Sequence, residues 1–186
     1  MKKSVTREYY EAILVAFILA LFVRTFVFEN FKIPSGSMED NLLIGDHLVV
    51  NKYIFSNNAD SFLHRLFPYR APERGDVVVF KYPRDTRRDF IKRCVAIEGD
   101  VVEIRRKQLY LNGELQIEPM VVHKDPRIFE DLPTSRDDTR VRDNFGPFTV
   151  PPGTIFCLGD KRDRSLDSRF WGAVPLEHVK GRAVLI

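Results

Sequence analysis

The chain of 186 residues has little of what several common protein classes depend on. Its two cysteines, Cys94 and Cys157, do not form a CxxC pair, which excludes a disulfide framework, a zinc ribbon and a thioredoxin-type site. Its four histidines lack a close ligand spacing such as HExxH, so we predict no metal and no cofactor. The 29 basic and 26 acidic residues are interleaved, so we predict no nucleic-acid partner.

A long hydrophobic run occurs at the N-terminus. Every residue from 12 to 23 is apolar, and the run resumes at 26–28 after a two-residue polar break. As a helix, residues 9–28 would be about 30 Å long, the thickness of the hydrocarbon core of a bilayer. The sequence therefore predicts one transmembrane α-helix, an anchor at residues 12–28.

The charges beside this run predict its orientation. Three basic residues lie in the tail at residues 1–11, and only Lys32 follows within the next twenty residues, which places the tail in the cytoplasm and residues 29–186 outside it. Two alternatives remain: a cleaved signal peptide and a buried helix of a soluble protein. A cleaved signal needs small residues after the run, where this chain reads RTFVFENF.

After residue 29 the pattern changes to short β-type segments separated by turn residues. We predict an all-β, mainly antiparallel domain of barrel or sandwich type. Two stretches, 56–74 and 124–143, have little strand pattern and are predicted to be inserted loops, the second of them highly charged and exposed. The predicted strands are 47–51, 76–81, 90–97, 101–104, 108–111, 154–158 and 181–186.

Two residues are candidates for nucleophilic chemistry. Ser37 lies in a tight Pro- and Gly-containing turn, IPSGSM, and Lys92 lies in an apolar strand, FIKRCVAI. The chain has no GxSxG elbow, no SxxK start and no histidine motif, so serine activation would require a lysine held neutral. Alternation places Lys92 and Arg93 on opposite faces, and burial lowers a lysine pKa. Taken singly, each segment is also consistent with an ordinary surface turn or an exposed strand lysine.

The third candidate segment is GDKRDRSLDSRFWG, at residues 159–172. Its alternating charges indicate a loop fixed by internal ion pairs or a solvated turn. Cys94 shares the strand face of Lys92, and Cys157 lies on the strand leading into this loop. The two thiols either line the pocket of the lysine or form a disulfide.

Taken together, these segments resemble the bacterial type I signal peptidases, the leader peptidase family of membrane-bound serine endopeptidases. The resemblance runs through most of the chain outside the two predicted loops. The matching motifs are RTFVFENFKIPSGSM, IGDHLVVNK, RGDVVVFKYP, FIKRCVAIEGD, GDKRDRSLDSRFWG and VKGRAVLI.

The resemblance implies the roles of the first site residues. It implies that Ser37 is the nucleophile and that Lys92 is the general base of a Ser-Lys dyad. The Ser35 hydroxyl and the Ser37 backbone N–H would form the oxyanion hole. The implied reaction is peptide hydrolysis through an acyl-enzyme, which removes signal peptides after small-x-small sites such as Ala-x-Ala.

The motif GDKRDRSLDSRFWG supplies the supporting residues. The resemblance implies that Ser165 orients the lysine and that Asp167 and Arg169 form an ion pair supporting the loop. Here Lys161 and Arg164 stand where the family usually has asparagine, and EDNL follows SGSM where the family usually has x-Pro-Thr-Leu. None of these departures replaces a catalytic position.

The implied partners are the signal peptides of exported preproteins and the lipid bilayer, with the chain itself a monomer. The implied location is the inner (plasma) membrane, with a single pass and a catalytic domain that is extracytoplasmic or periplasmic. Two alternatives stand beside this function. One is a Ser-Lys self-cleaving repressor-type peptidase, and the other is a membrane-tethered β domain that binds partners without catalysis.

Overall fold

The structure is a computed structural model that describes residues 4–33, 36–38, 45–52, 54–55, 70–129 and 141–185. Of the predicted loops, residues 56–69 and 130–140 lie outside this part of the chain. Ser35 also lies outside it.

The N-terminal segment forms one helix that does not reach the predicted end. Helix α1 spans Val5–Phe22, a π-helical turn follows at Val23–Val27, and β1 begins at Phe28. Within the described residues, no helix combines the length and the apolar composition needed to cross a bilayer. The structure therefore does not reproduce the predicted single helix over 12–28, since the polar break precedes a change from helix to strand.

Eleven strands and a second short helix follow α1 among the described residues. The helix, α2, spans Ser168–Trp171, and single 3-10 turns occur at Gly36–Met38, Arg162–Arg164 and Leu176–His178. The strands are β1 Phe28–Lys32, β2 His47–Asn51, β3 Val77–Tyr82, β4 Asp85–Ile97, β5 Val101–Arg105, β6 Gln108–Leu111, β7 Glu114–Leu115, β8 Phe145–Thr149, β9 Thr154–Leu158, β10 Val174–Pro175 and β11 Val179–Leu185.

The strands form two sheets in which every recorded pairing is antiparallel. The larger sheet has the order β1-β2-β11-β3-β4-β9-β10, and the smaller has the order β7-β6-β5-β8. The predicted mainly antiparallel β domain is confirmed. The short strands β1, β7, β8 and β10 were not predicted, because they contain Pro, Gly or charged residues or are only two residues long.

Strand β4 positions the site because it changes partners along its length. Residues 85–93 pair with β3, whereas β9 pairs only with residues 93–97. On the side away from β3, residues 85–92 therefore have no neighbouring strand among the described parts of the chain. An unpaired strand edge of this kind can accept an extended peptide.

The core consists of three apolar clusters. Val79 and Ile91 belong to a cluster on one face of the larger sheet, while Val78 and Phe80 belong to a cluster on its opposite face. The third cluster packs β5 and β6 against β4 and β9, with Phe156 fully buried. The alternation along β3 and β4 follows from the two-residue period of a strand that is covered on both faces.

The two described ends of the second predicted loop, 124–143, differ in exposure. Residues 124 and 126–128 are exposed, as predicted. Asp143 at the other end is fully buried, and Arg142 forms ion pairs with both Asp125 (3.1 Å) and Asp143 (2.9 Å). At that end the charges pair with one another instead of facing solvent.

Candidate active site

Ser37 lies in the 3-10 turn Gly36–Met38, which the loop after β9 holds in place. The Ser37 carbonyl accepts a hydrogen bond from the Lys161 backbone N–H at 3.2 Å. The Asp160 N–H points at the Met38 sulfur at 3.4 Å, and Met38 is 1% exposed in the apolar core. Ser37 is thereby fixed by residues more than 120 positions away in the sequence.

Lys92 lies in β4 opposite Val78 and is buried, with 3% of its surface exposed. Its amine is in hydrogen-bond contact with the Ser37 hydroxyl. The amine also lies 5.5 Å from the centre of the Phe90 ring. The structure thus brings together the two residues that the sequence singled out for nucleophilic chemistry.

The surroundings of Lys92 favour its neutral form. Burial lowers the pKa of Lys92 from 10.5 to about 8, and the opposing effect of the nearby carboxylates, Asp167 first, is smaller. An exposed lysine is almost entirely protonated at pH 8, whereas about half of this amine is then free to accept a proton.

Two arginines explain why the carboxylates do not keep Lys92 charged. The Arg93 guanidinium holds both oxygens of Asp160, at 2.8 and 2.7 Å. Arg169 holds both oxygens of Asp167, each at 2.8 Å. Since each negative charge has its own cation, the desolvation of Lys92 dominates its pKa.

The Asp167–Arg169 pair is completely internal, with Asp167 0% and Arg169 4% exposed. Burial alone would raise the pKa of Asp167. The charge and hydrogen bonds of the adjacent Arg169 guanidinium lower it, and with the other hydrogen bonds to this carboxylate the net shift is downward. Asp167 also accepts hydrogen bonds from the Gly159 and Arg169 backbone N–H groups, both at 3.2 Å. The pair therefore fixes the loop that holds the Ser37 turn.

Gly159 allows the serine turn and this loop to approach closely. A Cβ added at Gly159 would lie 2.2 Å from the Ser165 Oγ and 2.8 Å from the Ser37 carbonyl oxygen. Only glycine fits between Ser37 and Ser165 at these distances.

The structure places the remaining predicted residues as follows. Ser165 is buried beside Gly159, and its hydroxyl lies close enough to the Asp167 carboxylate to help lower the pKa of Asp167. Its predicted role of orienting Lys92 stays a prediction, as does the predicted role of Ser35 in an oxyanion hole.

Cys94 and Cys157 are free, buried and directly opposite each other on β4 and β9.

Sequence reasoning named the Asp167–Arg169 pair but missed other residues that hold the loop. Arg162 is buried and forms a two-bond ion pair with Glu118, and Lys107 binds Asp163 at 2.8 Å. Asp160 was also missed. Asp160 could have been sought as the partner of Arg93, because Arg93 lies on the strand face opposite Lys92 and a half-buried arginine needs a carboxylate there.

A cleft of about 270 Å³ opens beside the dyad and follows the unpaired edge of β4. Its walls combine apolar and charged side chains. They are Ile33, Ser37, Met38, Arg88, Asp89, Phe90, Ile91 and Lys92. An extended peptide lying in this cleft would bring its backbone to the Ser37 hydroxyl.

A serine hydroxyl in contact with a desolvated lysine amine, at the edge of an antiparallel sheet, suits the hydrolysis of a bound peptide. Comparison with known families identifies which hydrolase this is. Residues 6–186 match the model described as "Signal peptidase, peptidase S26". The chain belongs to this family and is a peptidase.

Two relatives at the sequence level agree with this assignment, and one solved structure is also similar. Signal peptidase I of Pseudomonas aeruginosa is 32% identical over 209 aligned residues, which cover 100% of this chain and 73% of the relative. A probable signal peptidase I-2 of Synechocystis is 36% identical, covering 93% and 69%. A solved signal peptidase I from Enterococcus faecalis aligns with a TM-score of 0.48 and 30% identity, covering 62% of this chain and 98% of the other.

Proposed function

We propose that this peptidase removes signal peptides from translocated precursor proteins through a Ser37–Lys92 dyad. The observation that carries the proposal is the contact between the Ser37 hydroxyl and the buried Lys92 amine at the wall of a peptide-sized cleft. Family membership supports the substrate class.

The geometry supports the following reaction. Neutral Lys92 accepts the proton of the Ser37 hydroxyl while the oxygen attacks the carbonyl carbon of the scissile peptide bond. The protonated amine then gives that proton to the leaving nitrogen, and an acyl-enzyme remains on Ser37. Lys92, neutral again, takes a proton from water, whose oxygen attacks the ester. The protonated amine then gives this proton to the Ser37 oxygen as the ester bond breaks, which releases the new carboxyl end and restores the hydroxyl.

The negative charge that develops on the carbonyl oxygen during the attack must be stabilised by hydrogen-bond donors. The Ser37 backbone N–H and the Ser35 hydroxyl are the proposed donors, as the family resemblance implies. The apolar wall formed by Ile33, Met38 and Ile91 suits small side chains next to the scissile bond, in accord with Ala-x-Ala sites.

A precursor with an Ala-x-Ala site tests this function directly. We expect the detergent-solubilised chain to cut a purified precursor after the second alanine, and mass spectrometry of the products locates the cut. A precursor in which both alanines are replaced by leucine is the matched control and should remain intact. Cleavage of both precursors at the same rate would contradict the specificity, and cleavage of neither would contradict the function.

We also propose that the chain is membrane-bound through its N-terminal segment, as the sequence predicts for residues 12–28. The supporting observation is that every residue of α1 from 12 to 21 is apolar, and the large side chains among them are 45–67% exposed. A helix of this kind needs an apolar environment. The cytoplasmic N-terminus and the extracytoplasmic catalytic domain belong to the same proposal.

Vesicle flotation tests the attachment. The full chain should float with phosphatidylcholine vesicles, and a double variant, Phe17→Asp with Ile18→Asp, should lose most of that binding. Ile117→Asp is the matched control, because Ile117 is 91% exposed on the β domain. Equal flotation of all three proteins would argue against attachment through α1.

A further inference from the structure

The active-site cleft contains a cation that the reaction does not use. Arg88 lines the cleft and is exposed, four residues before Lys92 on the same strand. Its guanidinium lies 5.8 Å from the centre of the Phe90 ring, and the Lys92 amine lies 5.5 Å from the same ring centre. Arg88, Phe90 and Lys92 therefore form one row on one face of β4.

Other charges in the cleft are already paired. Asp89, the acidic residue of the lining, forms a 2.7 Å ion pair with Lys180. Asp85 is held by Arg87 at 3.0 Å. Among the described residues Arg88 forms no salt bridge, so its charge faces the cleft without a bound carboxylate.

The spacing of the row relates Arg88 to a position in the substrate. A peptide that adds to the unpaired edge of β4 advances about 3.3 Å per residue, in step with the strand. The Arg88 guanidinium and the Lys92 amine lie 5.8 and 5.5 Å from the centre of the same Phe90 ring, so they are at most about 11 Å apart. With the scissile bond at Ser37 and Lys92, that distance corresponds to three or four residues of an extended substrate.

We propose that Arg88 is a specificity residue that favours precursors with an acidic side chain three or four residues from the scissile bond. The inference rests on the proposed peptidase function and adds a charge preference to it. A partly exposed ion pair of this kind gives a modest gain, about three- to fivefold in kcat/KM. Most of the gain appears as a lower KM, because Arg88 does not contact the reacting atoms.

Matched peptides test this preference. Each peptide contains one Ala-x-Ala cut and a single glutamate or glutamine, placed in turn at the second and the fourth to sixth positions before the scissile bond and at the second to sixth positions after it. For the wild-type chain we expect the ratio of kcat/KM, glutamate over glutamine, to reach about three to five at one position near the fourth residue. The ratio should fall as ionic strength rises.

Two variants assign the effect to Arg88. Arg88→Gln should bring the ratio to about one, and Arg88→Glu should make a lysine peptide better than the glutamine peptide at the same position. Arg87→Gln is the control: it removes the same charge from the neighbouring residue, which is 89% exposed and does not line the cleft. It should keep the wild-type ratio.

The outcomes separate this inference from the function on which it rests. Equal cleavage of glutamate and glutamine peptides by the wild-type chain, or a preference that survives in Arg88→Gln, overturns the role of Arg88 and leaves the peptidase intact. If the wild-type chain cleaves none of the peptides, the proposed function itself is wrong.

Discussion

Replacing Lys92 by methionine should lower kcat for precursor cleavage by about 10⁴-fold or more, while the protein remains folded. Lys92 is the buried amine in contact with the Ser37 hydroxyl, so without it the hydroxyl has no base to accept its proton. Ser37→Ala should cause a loss of similar size. Because the two residues act on one proton transfer, the double variant should be no worse than either single variant.

The controls distinguish lost chemistry from lost folding. Lys81→Met changes an exposed lysine on the adjacent strand β3 and should leave cleavage unaffected. Lys92→Met should unfold at the same or a higher temperature than the wild-type chain at pH 7, because methionine removes an amine whose charged form is penalised by burial. Cleavage by Lys92→Met at a rate near that of Lys81→Met would contradict the dyad.

Asp167→Asn should be the most destabilising of the single substitutions near the site. It leaves the Arg169 guanidinium, 4% exposed, without its carboxylate, which typically costs about 3–5 kcal/mol of unfolding free energy. Cleavage should fall as well, because Asp167 also fixes the loop that holds the Ser37 turn. Urea denaturation followed by tryptophan fluorescence measures the stability change.

The exposed pair Asp85–Arg87 provides the matched control, with side chains 30% and 89% exposed. Asp85→Asn should not change the denaturation midpoint measurably, because surface ion pairs contribute little. The folded-state pKa of Asp167 is lowered, so its contribution is present above the unfolded value and is lost as the pH falls through the folded value. If Asp167→Asn and Asp85→Asn have equal midpoints, the internal pair is not what stabilises the loop.

The antiparallel fold could be predicted from local sequence signals. Strands such as 47–51 and 154–158 have a clear composition and clear turn residues at both ends, and the structure reproduces their bounds. Lys92 was a candidate because it interrupts an apolar strand, but its segment alone also fitted an exposed lysine. The pairing of Ser37 with Lys92 followed only from the resemblance of several motifs to one family.

The supporting contacts could not be predicted, because they join residues that are far apart in the sequence. The Asp160 N–H reaches the sulfur of Met38, and Arg162 pairs with Glu118 across the fold. Charge patterning does not specify partners, so the charged ends of the stretch 124–143 were predicted to be exposed although Asp143 is fully buried. The end of the N-terminal helix was also missed, because pairing of β1 with β2 competes with helix continuation.

The central claim is that Lys92 is a neutral base in the folded protein, and its own titration tests this most directly. NMR of the chain labelled at the lysine Cε gives one signal for each lysine, and the signal missing from Lys92→Met assigns Lys92. We predict an apparent pKa of about 8 for that signal. A Lys92 signal that titrates near 10.4, with the ordinary exposed lysines, would contradict the proposed mechanism.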